Sequence, residues 1–125
     1  MSATVMIDGN MIREPGVFYL HVEQQIDVRI LAEEAQRRAN RFVHLELSTQ
    51  MHAETPVLLV DEGQAIWRVP IHLTLPAFGD VGFVGFLHVQ PTTGEIDSSP
   101  QSLDELTSHA ENLALRFTSE TTYTV

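Results

Sequence analysis

Cysteine is absent from the 125-residue chain, and so is lysine: all seven basic residues are arginines. No disulfide, thiolate nucleophile or Cys-ligated zinc can therefore form, and neither a Schiff-base lysine nor a phosphate-binding P-loop lysine is available. Long apolar runs are missing too. Nothing approaches the roughly 18 consecutive apolar residues that span a bilayer, so no membrane partner is expected. Positive charge is scarce: 17 acids against seven arginines give a formal charge of -10. Such a surface repels phosphate backbones, so no nucleic-acid partner is expected either. Met1 to Asn10 have neither the basic start nor the continuous apolar stretch of a secretory signal, which makes the cytoplasm the expected location.

What is present is enough for one core. With 43% hydrophobic and 19% charged residues, 1–125 reads as a single domain. The expected fold class is α+β: an antiparallel meander of three to four strands, two helices packed on one face, and an N-terminal arm or hairpin. The arm covers 1–22, where Thr4 to Ile7 and Val17 to Val22 are separated by the turn chemistries Asp8-Gly9-Asn10 and Glu14-Pro15-Gly16. A helix is expected over 27–47, because Val28, Leu31, Ala35, Ala39 and Phe42 recur at helical spacing. Arg37, Arg38 and Arg41 lie on its other side. With Glu33 and Glu34 one turn before, they read first as a solvated helix face and second as an anion or partner contact.

Strands are expected within 55–97. Val57 to Val60 and Ala65 to Leu75 flank the turn Asp61-Glu62-Gly63-Gln64, and Phe83 to Val89 returns after Pro76 to Gly82. In the second strand Trp67, Val69, Ile71, Leu73 and Leu75 alternate with Arg68, Pro70, His72 and Thr74, so the odd positions face the core. Leu58 is expected opposite Trp67 and Val60 opposite Ala65. Pairing Ile71 with Val89 would set His72 beside His88. A second helix is expected over 102–117, opened by the capping box Ser102-Leu103-Asp104-Glu105 and carrying an apolar stripe from Leu103 to Phe117. The polar residues 118–125 read as a tail.

The stretch Trp67-Arg68-Val69-Pro70-Ile71, then Gly82-Phe83-Val84-Gly85, then His88-Val89 with Thr93-Gly94-Glu95-Ile96 resembles PepSY-type domains. In that family a helix precedes strands that end in a V-D-x-x-T-G-E-[IV] turn; here Gln90 stands in place of the Asp. The resemblance spans about Leu31 to Ile96. It implies a non-catalytic, inhibitory or protein-binding module of the kind found in protease propeptides and small bacterial proteins. The arm has no counterpart in the motif, and the family is usually exported.

For chemistry, six histidines are the groups that titrate near neutral pH. His72 and His88 form the candidate metal pair, with His21 on the arm as a third ligand if the arm crosses that face. His52-Ala53-Glu54 echoes the H-x-E of zinc deaminases but lacks their later P-C-x-x-C. No H-E-x-x-H, G-x-S-x-G or G-x-G-x-x-G occurs, so no catalytic residue and no cofactor is expected. The sheet face opposite Trp67 is expected to carry Val57, Leu59, Val84 and Phe86 as an interface, covered by the arm through Val17, Tyr19 or Leu20, or by a second copy in a homodimer. The functional expectation is a non-enzymatic protein-binding or regulatory module that self-associates. The alternative is a small-molecule or metal-binding domain using the same face.

Overall fold

The computed structural model describes the backbone of residues 4–20 and 24–122, and the side chains of 6–18 and 25–118. The fold is α+β: an antiparallel sheet with two helices. Strand β1 (Thr4–Asp8) is followed by a 3-10 turn (Gly9–Met11), a hairpin of β2 (Gly16–Leu20) and β3 (Gln24–Val28), and helix α1 (Ala32–Glu46). Then come β4 (Met51–Ala53), β5 (Val57–Asp61), β6 (Gln64–Leu75), β7 (Gly79–Val89) and helix α2 (Pro100–Thr122). The first half of β6 pairs with β5 and its second half with β4, while β7 runs along its other side. β1 adds to β5, giving that sheet five strands among the described residues.

β6 organises everything around it. Along it, buried and part-exposed side chains alternate from Trp67 to Leu73, as a strand with one dry face requires. Trp67, Val69 and Ile71 are fully buried beneath the helices and form one core with Ala35, Ala39 and Val43 of α1 and Leu106 and Ala110 of α2. The Trp67 indole N–H donates to the Ile30 carbonyl at 2.6 Å, which satisfies the one polar atom of that ring. Leu58 pairs with Trp67 and Val60 with Ala65, through a turn in which Glu62 and Gly63 have φ of 51° and 77°. Positive φ at both central positions is the two-residue hairpin geometry that matches strand twist.

α1 also closes the sheet at β4, and α2 packs on β7. Asn40 of α1 accepts from the Ala53 N–H and Gln36 donates to the Ala53 carbonyl, both at 3.0 Å, so β4 offers little unpaired backbone to another chain. α2 lies close enough on β7 that a Cβ at Gly85 would fall 2.7 Å from Leu106 Cδ2.

Four expectations need correction. Residues 24–28 form β3 rather than the start of a helix, and α1 begins at Ala32; Val28 is buried in the core, so its spacing fitted a helix while its neighbours pair with β2. α2 begins at Pro100, not at Ser102: Ser99 Oγ accepts the Ser102 N–H at 3.3 Å, which makes Ser99 the cap and places Pro100 at the first helical position. α2 then runs to Thr122, into the expected tail. The fourth correction is the register of β6 and β7. Val89 pairs with Trp67, not with Ile71, and His88 pairs with Arg68, not with His72.

Among the described residues the N-terminal arm does not cross the outer face. β1 extends the sheet, and Gly9 sits so close to Ala32 Cβ, the Pro56 carbonyl and the Trp67 ring that a Cβ there would approach the first two within 2.6 Å. Val17 is exposed, while His21 and the side chains of Tyr19 and Leu20 lie outside the described residues. Among the described residues no helix is long and apolar enough to cross a membrane.

Because Trp67 carries both the largest buried ring and the bond to Ile30, Trp67→Ala should lower unfolding free energy by about 3–5 kcal/mol. Urea denaturation measures it; a loss below about 1 kcal/mol would contradict the facing of β6.

Candidate functional site

Two irregularities in β7 decide what the outer face carries. Ile71 pairs with Gly85 but His72 pairs with Phe83, so Val84 is an extra residue; Leu73 pairs with Gly82 but Thr74 pairs with Asp80, so Val81 is another. Such bulges put two successive side chains on one side and shift the alternation by one. Val84 therefore turns inward and is only 2% exposed, a correction to its expected place on the outer face. Its carbonyl accepts the Nδ1–H of His109 from α2 at 2.9 Å. Phe83, paired with His72, lies on the outer face and is 51% exposed.

The outer face has a hydrophobic middle. Phe83 and Phe86 contact each other at 4.8 Å between centroids, and Phe86 is 40% exposed. Pro70 lies opposite Phe86, and Val57 and Leu59 on β5 are half-buried on the same side, as expected. Met6, opposite Leu59, is 66% exposed at the far edge.

One end of the middle is cationic. The Arg68 guanidinium stacks 4.6 Å above the Phe86 ring, and its Nε–H donates to His88 Nε2 at 3.5 Å. Partial burial holds the His88 pKa below its ordinary 6.5, and the Arg68 charge adds to this against a smaller opposing pull from Asp97.

The other end gathers four ligand-type side chains. His52 on β4 pairs with His72 on β6. Glu54, two residues after His52, projects to the same side, and Asp80 joins from the start of β7, opposite Thr74. His52 Nε2 is 3.0 Å from Glu54 Oε1 and 3.5 Å from Asp80 Oδ2; His72 Nδ1 is 3.0 Å from Asp80 Oδ2 and 3.8 Å from Glu54 Oε1. The four ligand atoms all lie within 4.8 Å of one another. Thr74 Oγ1 contacts His52 Nδ1 at 3.0 Å, on the ring edge away from the cluster. Slight burial pushes the Asp80 carboxyl up, but hydrogen bonds from His72 and the Gly82 N–H, with the histidine charges, outweigh it and hold the group below its ordinary range.

Of the expected metal pair, then, only His72 sits in a cluster of ligands; His88 lies beside Arg68, four residues away along β6. Arg37, Arg38 and Arg41 are exposed along a shallow groove with Phe42 and Ile96, and Arg38 pairs with Glu34 at 3.4 Å, as a solvated helix face does. Comparison with family models, curated proteins and solved structures found no match.

His88 offers a pH test. Its folded pKa lies below the unfolded value, so the unfolded chain takes up the proton first. The stabilisation is complete above about pH 6.5 and is lost as pH falls through the folded pKa. We expect wild type to lose stability below pH 6.5 more steeply than His88→Gln in parallel urea titrations. Equal slopes would contradict a depressed His88.

Proposed function

We propose that this chain is a non-enzymatic binding domain that works through the outer sheet face, and that the partner docked there is a second copy of itself. The observation that carries the reading is the exposed Phe83–Phe86 pair at the centre of that face, with Pro70 paired to Phe86. Rings presented to water on a sheet whose other face is packed under two helices are the anchors that interfaces use.

A second copy suits the charge layout. The face runs from Arg68 and His88 at one end, through the two phenylalanines, to Glu54 and Asp80 at the other. A two-fold axis through the middle would stack aromatic on aromatic and set the cationic end of each copy against the anionic end of its mate, as isologous pairing of a self-complementary patch requires. The β4 edge is a poor alternative, since Gln36 and Asn40 already occupy the backbone of Ala53.

The PepSY-like stretch supports the same class of function. Its turn is closed by Gly94 N–H to the Gln90 carbonyl and Gln90 N–H to the Glu95 carbonyl, both at 2.8 Å, and Val89 bridges to Ile96. These backbone bonds give the turn a structural role.

Light scattering after size exclusion is the test. Wild type is expected at twice the chain mass and Phe86→Arg, which places a second cation beside Arg68 and cannot be accommodated between stacked faces, at the chain mass. A wild type that stays at the chain mass at every concentration, or a Phe86→Arg that stays at twice that mass, would overturn the reading.

A further inference from the structure

We infer that His52, Glu54, His72 and Asp80 form a site for a divalent transition metal of the zinc class, held by His52 Nε2, His72 Nδ1 and one oxygen from each carboxylate. The geometry is the first support. Tetrahedral zinc with bonds of about 2.0–2.1 Å sets its ligand atoms roughly 3.3 Å apart. The nearest nitrogen–oxygen separations here, 3.0, 3.0, 3.5 and 3.8 Å, straddle that value without any rearrangement of strands.

The donor chemistry is the second support. Two imidazoles select against magnesium and calcium, which take oxygen ligands, and two carboxylates cancel the charge of a dication. The third is the way the ligands are held. His52 has its Nδ1 edge against Thr74 Oγ1, which leaves Nε2 aimed at the carboxylates. A hydrogen-bonded far nitrogen is what fixes the ring and tautomer of a metal-binding histidine. Asp80 has Oδ1 occupied by the Gly82 N–H at 2.9 Å, leaving Oδ2 as the oxygen nearest both histidines.

Four protein ligands, three on strands and Glu54 just after β4, make this a clamp and not a hydrolytic centre, which would keep a position for water. β4 is three residues long and β7 enters the sheet through bulges, so both ends need holding. A metal ion bound here ties β4, β6 and the start of β7 at one corner of the sheet. The surface around it stays about a third exposed, so the ion can enter from solvent.

Native mass spectrometry of the metal-stripped chain titrated with Zn²⁺ tests this, with melting temperature read in parallel and Co²⁺ as a spectroscopic probe. One zinc per chain is expected, with a higher melting temperature and a visible cobalt spectrum of four-coordinate intensity. His52→Ala and His72→Ala should each weaken zinc binding at least tenfold, while His88→Ala leaves it unchanged. Mg²⁺ in large excess should not displace zinc. All four ligands come from one chain, although Glu54 and Asp80 also form the anionic end of the docking face, so Phe86→Arg should bind zinc as wild type does even where it no longer associates. Wild type that takes up no stoichiometric zinc, or a His52→Ala that binds as tightly as wild type, would overturn the proposal, and the wild-type titration decides this even if a histidine variant fails to fold.

Discussion

Everything in this structure depends on the two-residue alternation of β6. The strand crosses the centre of the sheet and is bonded along both sides, and a strand in that position cannot twist one of its side chains out of phase without breaking a ladder. Trp67, Val69 and Ile71 fill the dry face. The remaining positions, Arg68, Pro70 and His72, are thereby committed to the other face, whatever that face is used for. The core and the candidate functional surface are two readings of one constraint.

That constraint explains what was legible in the sequence. The odd-numbered residues of β6 announced themselves as the core, and the Asp61 to Gln64 turn fixed the pairing of Leu58 with Trp67, because a two-residue turn leaves no freedom. The partnering of β6 with β7 was not legible for a matching reason. Alternation specifies which face a residue occupies but is unchanged by a slip of four residues, and pairing Val89 with Trp67 preserves the facing of Leu87 and His88 as well as pairing it with Ile71 does. Only the length of the turn distinguishes the two, and Pro76 to Phe78 form a shorter turn than the seven residues before Phe83 suggested. Gly79, Gly82 and Gly85 all adopt positive φ in β7, but a bulge is a property of the pair and does not appear in one strand's pattern.

The same slip hid the cluster at the corner of the sheet. His52-Ala53-Glu54 carried the signal: two ligand residues at i and i+2 point to one face of a strand. Without β4 recognised as a strand, the tripeptide read only as a fragment of a cysteine-dependent motif. Three residues are too few to show a periodicity, and β4 is held by Gln36 and Asn40 of α1, which lie far away in sequence. What sequence could place was each histidine's face; what it could not place was which histidines meet.

Both the self-complementary charge layout and the ligand cluster rest on the register of β6 with β7, which brings Arg68 to His88 and Asp80 to His72. A chain with no native cysteine allows a direct measurement, because any disulfide formed must be the engineered one. Directly opposed positions have Cβ atoms about 4.5–5.5 Å apart, near enough for a bridge, whereas four residues along a strand is roughly 13 Å. Under oxidation, Arg68→Cys with His88→Cys is expected to form an intramolecular disulfide in high yield while His72→Cys with His88→Cys remains reduced. The opposite result would contradict the account.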